Sequence, residues 1–349
     1  METPLTAEPE EQPAKPTTAP DSFTISARAF DSEERAQQLG ELIGACIREL
    51  SRQFDLSRLD GVTVAYDYAQ ALLDLDRGYE TTFRLTASDT HVVGIAMTPS
   101  VISAGTLKSH VLLNAAYMAP LEDFKHEHFG FVLHTISHEC AHVEVTHKFD
   151  EAFPGFLLRT AHADARIGYR WQIILACWDE YAATMLSAGF GTEPTEGYED
   201  TFLNSLREAR QQANDHIKEY RIHGNIDRIL GEVYVAYGDL MKFTAYHLGN
   251  LRGLGRDLSE MPRTAQALMG HWFAPYFTRL DEALKDIAKD YGKWTDKASF
   301  EVIGDLADEL LAHGGVRYTA RPNGGLGIDI PLTAETMPSE ADVARFSAK

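Results

Sequence analysis

Apolar positions along the chain change their period twice. Leu39, Leu42, Ile43, Cys46, Ile47 and Leu50 recur at intervals of three and four, which lines one face of a helix. Asp31 and Ser32 stand where an N-cap belongs, with Glu33 and Glu34 in the first turn. Between residues 61 and 118 the pattern is mixed. GVTVAY and THVVGIAM read as strands, ALLDLD as a short helix, and SHVLLNAAYM as a further strand. From Leu121 the helical period dominates and predicts helices over 121–148, 168–188, 199–220, 226–250 and 276–291. A short helix over 298–312 follows, and then GVRYTA and LGIDIPL flank an Asn-Gly-Gly turn, a hairpin signal.

These elements predict an α+β fold, a small mixed sheet followed by a mainly helical second half. The chain divides into a Pro/Glu-rich tail over 1–22, an α/β part over 23–120, a helical part over 121–295, and a C-terminal helix, hairpin and frayed tail over 296–349. The tail carries five prolines and four glutamates against one lysine in its first 20 residues, a composition that cannot nucleate a core.

Composition narrows the function classes. The chain has 349 residues, with 52 acidic against 32 basic side chains and a formal net charge of −20. A nucleic-acid backbone or an anionic membrane surface needs basic surface, so neither is an expected partner. No apolar run reaches the length of a membrane span. Three scattered cysteines, Cys46, Cys140 and Cys177, suit reduced thiols in a cytoplasmic protein better than a disulfide framework.

Histidine is unevenly spread, and the dense stretch contains His138-Glu139-Cys140-Ala141-His142, an HExxH pattern. Residues four apart share a helix face, so the two imidazoles can converge on one metal ion. Glu139, adjacent to the first, can then take a proton from a metal-activated water and pass it to a leaving amine. Zinc, one ion per chain, suits two imidazoles and a carboxylate with a fourth position left open. His134 and His138 offer the same spacing, but Thr135 cannot act as a base, so His134 is expected to pack.

The third ligand can be narrowed. Val145 and Lys148 occupy the places where metzincins need glycine and histidine, and Cys46 lacks the surroundings of a deformylase ligand. That leaves a carboxylate on a downstream helix. Glu180 stands among the small neighbours Ala176, Cys177, Ala183 and Thr184, which would let a second helix approach. Asp179 is the competitor, or a group that holds a ligand histidine.

His138-Glu139-x-x-His142 with a later Glu180 resembles the gluzincin branch of the zincin metallopeptidases. Asn114-Ala115-Ala116-Tyr117 resembles the Asn-Ala-x-aromatic segment of that branch, an edge strand whose asparagine binds substrate backbone. The resemblance covers about residues 110–190. It implies a zincin-like core, a peptide or protein substrate, Asn114 and Ala115 as substrate-binding residues, and a Tyr or His that steadies the oxyanion. Tyr246 and His247 are the first candidates for that role, with Tyr181 and His271 behind them. Two departures stand out: Glu144 where zincins carry an apolar residue, and a long gap between His142 and Glu180 that implies an insertion over 148–168. The competing reading is a zincin-like protein that keeps the metal but does not cut. The 207–221 segment REARQQANDHIKEYR reads as the exposed face of an amphipathic helix.

Overall fold

The computed structural model describes residues 15–87, 94–158, 162, 164–321, 325–339 and 341–342. Parts of the tail, of THVVGIAM, of the 148–168 insertion, of the hairpin turn and of the C-terminus therefore lie outside the described residues.

The chain opens with β1 (Thr24–Arg28), α1 (Glu33–Leu50), β2 (Leu59–Ala65) and α2 (Tyr68–Leu73). As the sequence predicts, Ser32 caps α1, its side chain accepting from the Arg35 amide. Leu39, Ile43, Ile47 and Leu50 are the buried face of this helix. β1 was not expected, because TISAR is only five residues long. The tail is also shorter than predicted. The Thr18 hydroxyl donates to the Ser51 carbonyl at 2.8 Å and Ala19 is buried, so the folded part begins before residue 22.

β3 (Ala96–Met97), β4 (Ser100–Ser103) and β5 (Thr106–Asn114) complete the sheet. Its order is β1-β2-β5-β3, with β4 also on β5. β1, β2 and β5 run parallel, and β3 and β4 pair antiparallel to β5. The sheet is small and mixed, as expected, but its edge is not where the sequence placed it. Asn114 ends β5, an interior strand paired on both sides, and Asn114 to Tyr117 do not form an edge. The Asn114 side chain instead accepts from the Ala116 amide and caps α3 (Ala115–Met118). The edge is β3–β4.

The helical half consists of α4 (Phe129–Ala152), α5 (Ala165–Ser187), α6 (Thr195–His223), α7 (Ile226–Leu254), α8 (Pro262–Leu268), α9 (Ala274–Lys289) and α10 (Ala298–His313). β6 (Arg317–Ala320) and β7 (Leu326–Asp329) form the predicted antiparallel hairpin. Among the described residues, no helix is long and apolar enough to cross a membrane.

Two large hydrophobic cores result, beside a small cluster of Ala65, Tyr68, Ala71, Leu72, Leu85 and Leu112. One joins the sheet to α1 and to Val132, Ile136, Cys140 and Val143 of α4. The other is helical, and takes Val145 and Phe149 from the same α4 together with α5, α6, α7, α9 and α10. α4 therefore runs from one core into the other, and α10 belongs to the same core as α5 rather than to a separate C-terminal unit.

Candidate metal centre

The HExxH residues lie midway along α4, where it passes between the cores. Glu180 comes from α5, which packs beside α4 and is capped by Asp164, whose side chain accepts from the Ile167 amide. The three side chains converge. His138 Nε2 and His142 Nε2 are 3.0 Å apart, and Glu180 Oε2 lies 3.5 and 3.4 Å from them. A tetrahedral zinc with bonds of about 2.0–2.1 Å sets its ligand atoms about 3.3 Å apart, so these separations fit such an ion.

Electrostatics point the same way. The side chains of His138, His142 and Glu180 are 12%, 10% and 17% exposed. His138 Nδ1 and Glu180 Oε2 are buried without a hydrogen-bond partner. Two imidazole nitrogens 3.0 Å apart cannot both present lone pairs to each other, so a proton or a metal ion must stand between them. His142 Nδ1 lies 3.0 Å from Asp179 Oδ2, at ion-pair distance but not in hydrogen-bond alignment. Burial pulls His142 down, but the charges of Asp179 and Glu180 outweigh it and hold the imidazole well above its ordinary range. Burial likewise raises Glu180, and the facing His142 and His138 outweigh it and hold the carboxyl well below its range. Three atoms held this way suit a divalent cation, with Asp179 steadying His142 from behind.

Glu139 is buried beside the ligands. Its Oε2 accepts from the Thr98 hydroxyl at 2.6 Å, and Thr98 sits between β3 and β4. The sheet edge thus reaches the centre through Thr98, a contact with no sequence signature.

α7 supplies the other wall. Its approach to α5 is close: a Cβ on Gly249 would lie 2.2 Å from the Tyr181 carbonyl oxygen and from Thr184 Oγ1. The small residues expected around Glu180 do admit a second helix, and it brings Tyr246, one turn away, against the site. The Tyr246 ring stacks over His138 at 6.0 Å, and its phenol lies close to the Glu180 carboxylate. Burial first, and Glu180 second, push this phenol well above its ordinary value, so it stays protonated.

The other candidates for the oxyanion role lie elsewhere. His247 stacks on Phe202, and its Nε2 lies 3.1 Å from Thr264 Oγ1. The Thr264 hydroxyl donates to Glu199 at 2.8 Å, so it must accept from His247 Nε2–H. Burial lowers this imidazole to about 4. It is a neutral core histidine. Tyr181 is fully buried near Trp178, and His271 lies beside Trp272.

His134 packs, as expected, and makes a specific contact. Its Nδ1 lies 3.2 Å from the Phe190 carbonyl, which can only accept. Its Nε2 must therefore accept from the Tyr198 hydroxyl, 3.1 Å away. Gly191 makes this geometry accessible: at φ +67° its α-carbon approaches α4 so closely that a Cβ would lie 2.0 Å from the Gly130 oxygen. Tyr198, whose ring is 5.4 Å from Tyr246, is a site neighbour that an aromatic residue near a helix start did not reveal.

Glu144 faces away from the ligands and explains its own presence. Its Oε2 accepts from the Asp55 amide at 2.7 Å and pins the α1–β2 loop to α4. In the first turn of α5, Arg166 pairs with Asp308 of α10. No protein-family model matches the chain, no curated protein matches it in sequence, and no solved structure matches it.

Proposed function

We propose that the chain is a zinc-dependent metallopeptidase built on a zincin-like, gluzincin-type arrangement. The observation that carries this reading is the convergence of His138, His142 and Glu180 within ligand spacing, with Glu139 beside them. Zinc bound there supplies a Lewis acid that polarises a carbonyl and makes water a usable nucleophile.

The chain's own residues do the rest. Glu139 takes the proton of the attacking water and delivers it to the leaving amine. Thr98 holds the Glu139 carboxylate in place through its 2.6 Å hydrogen bond. Tyr246 remains protonated and donates to the developing oxyanion, the role left open among several residues by the sequence. Among the described residues β3 is an outer strand, and its backbone edge could pair an extended peptide in place of Asn114 and Ala115. Protonated Tyr246 beside an intact Glu139 favours a cutting enzyme over a zincin-like protein that only binds.

The test is metal content and hydrolysis together. Protein purified without added zinc should hold about one zinc per chain, and His138→Ala and Glu180→Ala should each lose it. Glu139→Gln should keep the metal and lose cleavage of a mixed peptide library. A wild-type protein that takes up no zinc on reconstitution sinks the reading.

A further inference from the structure

On α6, Arg207, Arg210, Gln211, Asn214 and Lys218 follow at intervals of one to four residues and share a face. They line a groove of about 870 Å³ whose walls are His271 and Trp272 on one side and Ala334–Ser339 on the other. The groove begins about 12 Å along α6 from Tyr198, at 1.5 Å per residue, so it is separate from the metal centre. Three basic side chains and one acid, Glu335, line it, with Asp215 at its margin pairing with Lys218, in a chain whose net charge is −20. Such a concave basic patch concentrates anions against the field of the whole molecule.

The groove already displays how it takes a ligand. Arg210 Nη2 donates to Glu335 Oε2 at 3.0 Å, and the guanidinium lies 6.0 Å from the Trp272 ring centre. Arg221 Nη2 donates to the Pro331 carbonyl at 2.7 Å, and Thr336 is buried. One carboxylate and one backbone carbonyl of the 331–339 segment, which makes a 3₁₀ turn over Ala334–Thr336, are the groups these arginines bind. From Arg207 to Lys218 the basic stripe runs about 16 Å, room for about five extended residues and too long for one oxyanion. Lys218 is held only by Asp215 on its own helix, a surface pair that exchanges easily.

We infer that this groove is a docking site for an extended acidic peptide, with the chain's own 331–339 segment resting in one end of it. The inference stands apart from the metal reading. The test is fluorescence anisotropy of a labelled octapeptide of alternating glutamate and alanine, with its lysine counterpart as control, on the full chain. Saturable binding of the acidic peptide alone is expected, weakening steeply with salt. Glu335→Gln frees Arg210 and should tighten binding several-fold. Arg207→Glu and Lys218→Glu, both on the helix surface and checked for folding by circular dichroism, should each weaken it by about tenfold. His138→Ala should leave it unchanged, even where zinc is lost. No saturable binding by Glu335→Gln, equal binding of the lysine peptide, or no effect of either charge reversal overturns the inference. Tighter binding of tripolyphosphate than of the peptide overturns it too, and assigns the groove to phosphate chains.

Discussion

Helix α5 buries charge at two places ten residues apart, and it treats them in opposite ways. Arg170 meets three carboxylates: Glu301 at 2.6 Å, Asp305 at 2.8 Å and Asp308 at 2.6 Å. Tyr234 adds a donor to Asp308 at 3.0 Å. None of Arg170's nitrogens is among the buried atoms left without a partner. At Glu180 the carboxylate meets two imidazoles, and buried atoms of Glu180 and His138 remain unmatched. A closed network of this kind is a staple, here fastening α10 to α5. An open one has room for a further cation, as in the reading proposed above.

That contrast can be broken by experiment, most sharply at the open cluster. Glu139→Gln should lower peptide hydrolysis by about 10²–10⁴-fold while zinc content stays at about one per chain. Retained turnover would remove Glu139 from the chemistry and the comparison would lose its functional half. At the closed cluster, Arg170→Ala takes the buried guanidinium away from Asp308 and from the more exposed Glu301 and Asp305, while Arg166 and Tyr234 still hold Asp308, and should cost about 1–3 kcal/mol in denaturant unfolding. Zinc content should not change. If Arg170→Ala instead stripped the metal, the two clusters would be one cooperative unit.

Asp179→Asn is the finer cut. It leaves the three ligands and removes the carboxylate behind His142, so zinc affinity should fall by about 10–100-fold in a chelator competition. The smallest effect concerns a third buried group. His247 is lowered to about 4 from an ordinary 6.5, so it is neutral in the folded state and charges more readily when unfolded. Its contribution is complete above about pH 6.5 and is lost as pH falls toward about 4, amounting to about 1 kcal/mol by pH 6. The urea midpoint of His247→Asn should be less sensitive to pH over that range than the wild type's; equal slopes would contradict the assignment of His247 as a neutral core group.

Local pattern made much of this legible. The amphipathic period located α1, α5, α7 and α10 to within a few residues, because their buried faces are formed by neighbours in sequence. HECAH singled out the two α4 histidines that meet Glu180, and the small residues beside Glu180 announced the close approach that α7 makes. What the sequence could not announce was pairing between distant segments. The position of β5 between β2 and β3–β4 depends on a sheet order that no single strand encodes, so Asn114 looked like an edge residue and is not one. Thr98 was invisible for the same reason, being a lone hydroxyl whose meaning comes from Glu139, 41 residues on. Tyr246 and His247 could not be separated by composition. Which of two consecutive residues faces the metal ligands depends on the rotation of α7, and Gly249 sets that rotation through its contact with α5.

The split of α4 between two cores has a consequence for the timing of synthesis. A chain emerging from the ribosome completes the sheet and α1 early, and carries His138 and His142 on a helix whose second core is still missing. Glu180 arrives next, and Tyr246 only after α6 has been made and α7 can dock against α5. A nascent chain therefore exposes ligands long before it owns a finished centre. Under the proposed reading, hydrolysis would wait until most of the chain is out and folded, which would protect the growing polypeptide from premature cutting.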